Sequence, residues 1–219
     1  MKAIILAAGQ GKRFGKTTIT KPKPLIKLGN LSLIEHNILL LKSYGFTEIV
    51  INVSYLANLI IDYLGNGDKY NVKITYSIEY PEPLETGGGI HNALSILGKD
   101  PFLVINSDIY TDCNLSLINL HHHDLASLVM VKNPPDNLKG DFSISNGRIT
   151  LDKENMMTYS GIGIYNPKIF KNIEISKYKL INILLKKIKN NRVSGIIHKN
   201  IWYDIGDNKK LKKVSNLFF

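Results

Sequence analysis

The sequence has little of what membrane-spanning, secreted and nucleic-acid-binding proteins rely on. No run of about 18 apolar residues occurs in it, so no membrane-spanning helix is expected. Its N-terminus enters a strand pattern directly, without the basic region, apolar stretch and small-residue cleavage site of a secretory leader. A lone cysteine, Cys113, cannot close an internal disulfide and suits a reducing compartment. Together these absences lead us to expect a soluble, cytoplasmic protein. Arginine is sparse and aromatics make up 9% of the chain, which removes most of the side chains that read or stack on nucleobases. Acidic residues are outnumbered, 18 against 28 Lys and Arg, for a formal net charge of +10. With the lysines scattered, that balance is read as suiting an anionic small substrate, with no nucleic acid and no membrane as partner. The one dense basic cluster, Lys209, Lys210, Lys212 and Lys213, falls on an expected amphipathic C-terminal helix and reads as a solvated face.

Hydrophobic residues make up 44% of the 219, enough for one sizeable core. The most informative stretch is Lys2 to Leu25. Ala3 to Ala7 reads as a buried parallel strand. It breaks at Gly9 and Gly11, where backbone N–H groups can face an anion with no Cβ in the way. Lys12, Arg13 and Lys16 follow, and Lys23 stands between Pro22 and Pro24. A strand, a glycine turn and clustered cations describe a phosphate site. Two familiar phosphate motifs do not fit it. G-x-G-x-x-G needs glycine where Phe14 stands, and the P-loop pattern ending in Gly15, Lys16 and Thr17 needs glycine where Gln10 stands. The β-branched residues and prolines from Ile19 to Pro24 also argue against a P-loop helix, and the two prolines are expected to hold Lys23 extended.

Beyond this stretch, Ser32 and Glu35 form a capping box for a helix over Leu33 to Tyr44, with Gly45 as its stop. Strands are expected at Glu48 to Val53, Val72 to Ile78, Phe102 to Asn106 and Leu128 to Lys132. Helices are expected at Leu56 to Leu64, Ile90 to Leu97 and Leu115 to His122, with Leu84 to Gly89 as a loop. This alternation predicts parallel strands with crossover helices in a doubly wound sheet. After Asn133 the pattern changes. Asn146-Gly147 marks a hairpin between Phe142 to Ser145 and Arg148 to Leu151. Thr158 to Tyr165 reads as a strand whose Gly161 and Gly163 admit a close neighbour. A helix over Leu180 to Lys189, strands at Val193 to His198 and Ile201 to Ile205, and a final helix from Asp207 complete the reading. We expect one domain over residues 1–219, with a nucleotide-binding half to about residue 130 and a sugar-phosphate-binding half after it.

Ligands of such sheets bind beyond the carboxyl ends of the parallel strands. Asp108 follows an apolar strand there, and Asp204 is an acid set in an apolar strand, which is costly unless paired or metal-bound. Two such acids could hold one cation, with phosphate oxygens completing its shell. Asp112 and Asp207 read as caps, the histidines 121–123 point to different faces, and Cys113 reads as a small structural side chain.

Leu6, Ala7, Ala8, Gly9, Gly11 and Arg13, followed by Pro22, Lys23, Pro24 and Leu25, resemble the signature of the sugar-phosphate nucleotidyltransferases. The family's Pro-Leu-Thr is replaced by Lys16, Thr17 and Thr18, of which only Thr18 fits. Asn106-Ser107-Asp108 resembles the family's G/N-x-D element, and Trp202-Tyr203-Asp204-Ile205-Gly206 resembles its W-x-D-x-G element. The resemblance implies an α/β, mostly parallel, doubly wound fold with a small mixed sugar-binding subdomain. It implies Mg²⁺ on Asp108 and Asp204, and catalysis by Arg13 and Lys23. Nucleotide contacts would come from Leu6, Ala7, Ala8, Gly9, Gly11, Arg13, Thr86, Gly87, Gly88 and Asn106, with the base read by backbone at Ala7, Ala8 and Thr86–Gly88. Sugar contacts would come from Asp108, Gly140, Ser160 and Gly161.

Leu84 to Ile90, Lys139 to Phe142, Ser160 to Ile162 and Val193 to Gly195 are similar to the branch of the family that joins UTP to N-acetylmuramic acid 1-phosphate. UTP and a sugar 1-phosphate are therefore the expected partners, in a monomer or small homo-oligomer. The lactyl carboxylate of that acceptor would need space and a cation or amide donors, and Lys139, Lys153, Lys179 and Lys199 lie within the segments of that half. The family's E-K-P element has no clear match beyond the nearby Asp152-Lys153-Glu154. Guanylyl transfer to mannose 1-phosphate and uridylyl or thymidylyl transfer to glucose 1-phosphate are the enzymatic alternatives. A silent nucleotide-sugar-binding regulator is the other, and it would not need Arg13, Lys23, Asp108 and Asp204 together.

Overall fold

The computed structural model describes residues 1–219. The first apolar run is strand β1 (Ala3–Leu6). The chain then makes a 3-10 turn over Lys12–Phe14, one helical turn α1 (Thr17–Thr20) and a second 3-10 turn over Lys23–Leu25. Lys23 is thus in a tight turn and not extended as expected. Pro22 alone keeps the extended backbone, and Pro24 sits where a first-turn N–H would be unpaired anyway. The two-residue strands β2 (Lys27–Leu28) and β3 (Leu31–Ser32) lead into helix α2 (Leu33–Ser43). Its start is fixed by the expected pair: the Ser32 N–H and hydroxyl donate to Glu35 Oε2 at 2.8 and 2.6 Å.

Strand β4 (Glu48–Val53), helix α3 (Ala57–Leu64), strand β5 (Lys73–Ile78), helices α4 (Glu85–Asn92) and α5 (Leu94–Leu97) and strand β6 (Phe102–Asn106) continue the alternation. After β6 come β7 (Ile109–Thr111), β8 (Ala126–Val131), β9 (Ser143–Ser145), β10 (Arg148–Thr150) and β11 (Thr158–Tyr165). Helix α6 (Leu180–Lys189), β12 (Val193–His198), β13 (Trp202–Asp204) and α7 (Asn208–Phe218) end the chain.

Nine strands form one sheet in the order β5-β4-β1-β6-β11-β8-β12-β10-β9. Strands β5, β4, β1 and β6 are parallel, with Ile4 level with Val50 and Val104. Strand β11 runs antiparallel between β6 and β8, so the strands after Asn133 continue the same sheet. Alternate residues feed two cores. Ile5, Ile51 and Ile105 pack under α2 and α3, while Ile4, Val50 and Val104 pack with Ile90, Ile183 and Leu184 of α4 and α6. Burial on both faces is why these strands read as unbroken apolar runs, and each fully buried Ile contributes roughly 1.5–3 kcal/mol. A smaller cluster of Phe14, Ile26, Leu33, Ile205 and Val214 fastens the N-terminal turn to the C-terminal helix.

Two further expectations fail. Leu115 to His122 is not a helix; only Leu115–Leu117 turn, as a 3-10 element. The Asn114 side chain accepts the Ser116 N–H at 3.1 Å and Asn119 Nδ2 donates to the Leu117 carbonyl at 3.3 Å, local bonds that compete with helical ones. Conversely, the Leu84–Gly89 loop is the first turn of α4. Three successive glycines disfavour a helix, but here they let neighbours approach: a Cβ on Gly88 would lie 2.1 Å from the Ser176 carbonyl, and one on Gly87 2.5 Å from the Tyr178 ring.

Candidate active site

Beyond β1 the chain turns over Gly9 and Gly11 at the carboxyl edge of the parallel strands. Gly11 has φ +65°, and a Cβ there would lie 2.9 Å from Lys23 Cβ and 3.0 Å from Thr18 Cγ2. The Thr18 hydroxyl sits 3.1 Å from the carbonyls of both Gly11 and Gly15. The one threonine that fits the family pattern therefore staples the turn, and the stem of Lys23 packs directly on it. Arg13 reaches across to the other end of the chain, where a Cβ on Gly206 would lie 3.0 Å from its guanidinium. Glycine at 206 is what allows that approach.

The two acids predicted from separate motifs come together. Strand β13 pairs antiparallel with β7, placing Asp204 opposite Ile109, and the Ile205 N–H donates to the Asp108 carbonyl at 2.8 Å. Lys23 Nζ forms an ion pair with Asp108 Oδ2. Lys210 Nζ lies 2.6 Å from Asp204 Oδ1 and 2.5 Å from Asp136 Oδ2. Burial pushes the Asp204 carboxyl above its ordinary range; the Lys210 ammonium opposes this, and the charges of Asp108 and Asp136 add to it. Asp136 is lowered, first by the Lys210 hydrogen bond and further by the Arg13 charge. Three carboxylates and three cations thus form one neutral constellation.

These residues fit a Mg²⁺ ion. Asp108 and Asp204 are like charges close enough to feel each other, and each is already neutralised by an ammonium. No set of three or more His, Cys, Asp or Glu side chains forms a protein-only cage. Mg²⁺ is typically held by one or two carboxylates, with substrate phosphates and water supplying the rest.

A cleft of about 630 Å³ opens over the Arg13, Lys23 and Asp108 side of this constellation, and Asp204, Asp136 and Lys210 do not line it. Of the predicted residues it brings together Leu6, Ala8, Gly9, Gly11, Arg13, Lys23, Thr86, Asn106 and Asp108. Others do not line it. The Ala7 N–H is engaged by Asn52 Oδ1 at 2.7 Å, and the N–H groups of Gly87 and Gly88 donate to the Tyr178 carbonyl at 2.9 and 3.1 Å. Those three amides are therefore engaged within the protein, which leaves the backbone carbonyls and Ala8 for base reading there. Ser160 is fully buried, its hydroxyl accepting the Ile162 N–H and its carbonyl accepting the Trp202 indole N–H at 3.0 Å. Gly161 (φ +79°) is a packing glycine, since a Cβ would lie 2.5 Å from Asn106 Nδ2; Gly140 packs likewise on Met156 and Met157. These three hold the wall in shape and face neither cleft described here.

A second cleft, about 870 Å³, is bordered by Asp204, Trp202, Asp136 and Lys132, Lys209, Lys210 and Lys213. Lys139, Lys153, Lys179 and Lys199, the sequence candidates for an acceptor carboxylate, line neither cleft. Sequence reasoning also missed Asn52 and Glu79, which line the first. Glu79 is 3% exposed and accepts from Asn52 Nδ2 and the Leu84 N–H, both at 2.6 Å. Burial raises its carboxyl despite those bonds. A polar residue within the apolar run EIVINV was the available signal for Asn52.

The sequence pattern of the nucleotidyl transferase family matches residues 2–218. N-acetylmuramate alpha-1-phosphate uridylyltransferase of Neisseria meningitidis serogroup B is 44% identical over 226 aligned positions, covering 99% of this chain and 98% of that protein. Mannose-1-phosphate guanyltransferase of Aspergillus oryzae is 32% identical over 95% of this chain, which spans 62% of that relative's length. Among solved structures, HddC of Yersinia pseudotuberculosis, complexed with GMP-PN, has a TM-score of 0.83 at 25% identity, with 100% of this chain and 99% of that one covered. A Bacillus anthracis protein assigned as a glucose-1-phosphate thymidylyltransferase, in complex with sucrose, reaches 0.87 at 21% identity over 99% and 94% of the two chains, a likeness of fold.

Proposed function

Since the chain belongs to the nucleotidyl transferase family, we propose that it is a sugar-1-phosphate nucleotidyltransferase joining UTP to N-acetylmuramic acid 1-phosphate, with release of pyrophosphate, as a cytoplasmic step in the reuse of cell-wall sugar. The end-to-end similarity to the Neisseria meningitidis uridylyltransferase carries the choice of substrates. The meeting of Arg13, Lys23 and Asp108 at one cleft, with Asp204 paired opposite Ile109 beside it, supports the choice of reaction.

In this reading a phosphate oxygen of the sugar 1-phosphate attacks the α-phosphorus of UTP. The new O–P bond forms as the bond to the β-phosphate oxygen breaks, and the electron pair leaves with pyrophosphate. The acceptor is already an anion, so no general base is needed. The protein's task is positioning and charge stabilisation. The glycine turn and Arg13 hold the leaving phosphates at the carboxyl edge of the sheet. Lys23, anchored on Gly11 and paired with Asp108, stands where it screens repulsion between two anionic partners. A Mg²⁺ ion bound by Asp108 and Asp204 would neutralise phosphate charge. Ala8, Gly9, Thr86 and the Asn52–Glu79 pair border the part of the cleft left for the nucleoside.

Similarity to the Aspergillus oryzae guanyltransferase keeps guanylyl transfer to mannose 1-phosphate as the competing reading. A matrix of nucleoside triphosphates against sugar 1-phosphates, read by pyrophosphate release, separates the two. UTP with N-acetylmuramic acid 1-phosphate should exceed UTP with N-acetylglucosamine 1-phosphate by about tenfold or more, the scale of one satisfied polar contact. GTP with mannose 1-phosphate should stay near background. Equal or better turnover of N-acetylglucosamine or glucose 1-phosphate would discard the muramic acid assignment while keeping the reaction class.

A further inference from the structure

The C-terminal lysines do not behave alike. Lys209, Lys212 and Lys213 are exposed, as a solvated helix face requires, but the Lys210 side chain is only 22% exposed. Its ammonium is clamped between Asp204 Oδ1 at 2.6 Å and Asp136 Oδ2 at 2.5 Å. Helix α7 is held in place at its start by the Asp207 carboxylate, which accepts the Lys210 N–H at 2.9 Å, and by Val214 in the small core cluster. The ammonium is therefore delivered by a fixed backbone and not by a wandering chain end.

We propose that Lys210 is an internal counter-cation of the transfer site: it occupies Asp204 before a divalent ion does, and metal loading requires its withdrawal onto Asp136. The inference rests on the reading of Asp204 as a metal ligand. An ammonium hydrogen-bonded to one carboxylate oxygen both takes a coordination position and repels a dication arriving at the other oxygen. Asp136 gives the ammonium a second partner, so withdrawal from Asp204 does not strand a half-buried charge. The arrangement keeps two neighbouring carboxylates balanced in the metal-free protein and makes the metal compete for its ligand. Lys210 is a positioning residue in this scheme, acting through Asp204.

The test is metal binding without nucleotide, using Mn²⁺ alone, by electron paramagnetic resonance of the free ion. Fluorescence of Trp202 gives an independent readout, since it is the sole tryptophan and lies two residues from Asp204. Lys210→Met should tighten Mn²⁺ binding about three- to tenfold, the range expected for removing one charge-assisted, partly exposed contact. Lys209→Met removes the same charge from the neighbouring exposed position and should change affinity less than about twofold, because an exposed charge is screened. Lys210→Arg keeps the cation and should stay near the wild-type value. Equal effects of the two Met variants, or no tightening by Lys210→Met, would overturn the proposal. Lys210→Gln, with circular dichroism of every variant, repeats the test should the Met variant fold poorly. Asp204→Asn separates the two layers: weaker Mn²⁺ binding upholds the metal ligand whatever Lys210 does, while unchanged binding removes the ligand assignment and the counter-cation together.

Discussion

Gly9 and Gly11 stand two residues apart in the same turn, yet adding one methyl group to each should have different consequences. At Gly11 the backbone is left-handed, and an alanine Cβ would lie 2.9 Å from Lys23 Cβ and 3.0 Å from Thr18 Cγ2. The left-handed conformation costs a residue with a Cβ about 1–2 kcal/mol, and overpacking typically adds about 1–3 kcal/mol. Lys23 and Thr18 can yield by a few tenths of an ångström, so Gly11→Ala should destabilise by about 2–4 kcal/mol in all. For a chain of this length that is a fall in Tm of roughly 5–12 °C. The displaced atoms belong to the stem of the lysine paired with Asp108, so kcat should fall with stability even at a temperature where the variant is folded.

Gly9 has no positive φ and no heavy atom within 4 Å of its ideal Cβ, and it borders the cleft. Gly9→Ala should leave Tm within about 2 °C of wild type, the range of a substitution away from special features. A methyl group there would nevertheless stand where the phosphates are proposed to lie, lowering kcat/KM by about tenfold or more, the scale of a disturbed phosphate contact. Thermal unfolding and a pyrophosphate-release assay on the pair provide the check. A Gly11→Ala protein as stable as wild type would refute the assignment of Gly11 as the seat of Lys23. A Gly9→Ala protein with full activity would remove the turn from the phosphate site.

Three other outcomes follow from the charges. Asp108→Asn and Asp204→Asn should each lower turnover by roughly two to four decades, as expected for losing a charge-stabilising group. In the folded state Asp204 binds its proton more readily than in the unfolded chain, so its contribution to stability falls as pH rises through the window between its ordinary and its raised pKa. At neutral pH Asp204→Asn should therefore match or exceed the wild-type Tm, with any advantage shrinking on acidification; a neutral-pH loss of more than about 2 °C, beyond the usual surface scatter, would contradict this. Arg13→Ala and Lys23→Ala should each cost on the order of a hundredfold in kcat/KM, whereas Lys16→Ala should cost less than about tenfold. An essential Lys16 beside a dispensable Lys23 would restore the P-loop reading.

What the sequence made legible was whatever neighbouring residues decide. The strand over Glu48–Val53 ended as expected because Ser54 and the following turn end an apolar run. The Asn146-Gly147 hairpin formed because both residues adopt positive φ, at 49° and 72°. Helix α2 started at its capping box for the same local reason. Gly161 was read as admitting a close neighbour, and that neighbour is Asn106 from a strand 55 positions earlier (161 − 106). The spacing announced the approach but not the partner. The expected helix over Leu115 to His122 failed on local bonds of Asn114 and Asn119, whereas the misread Leu84–Gly89 loop depends on distant segments. Gly87 and Gly88 of α4 lie against the Ser176–Leu180 segment and Gly89 against Glu79 and Asn52, an arrangement no window around Gly88 contains.

The basic cluster at the C-terminus carries the same argument into the site. Taken along the chain, Lys209, Lys210, Lys212 and Lys213 are interchangeable charges on an amphipathic helix. Folding breaks the equivalence: the helix starts at Asp207, two residues beyond Ile205, which is anchored in the small core cluster and bonded through its N–H to the Asp108 carbonyl. That anchoring aims one side chain of the four at Asp204 and leaves its neighbours in solvent. The acids were recognisable because a carboxylate in an apolar strand is costly without a partner. The same cost requires that the partner exist, so a buried acid read from sequence is also a prediction of an unidentified cation. Here the fold supplies two, Lys23 for Asp108 and Lys210 for Asp204. Only the first was marked by its motif, because two prolines flank it; the second became visible once the end of the chain was folded back against its beginning.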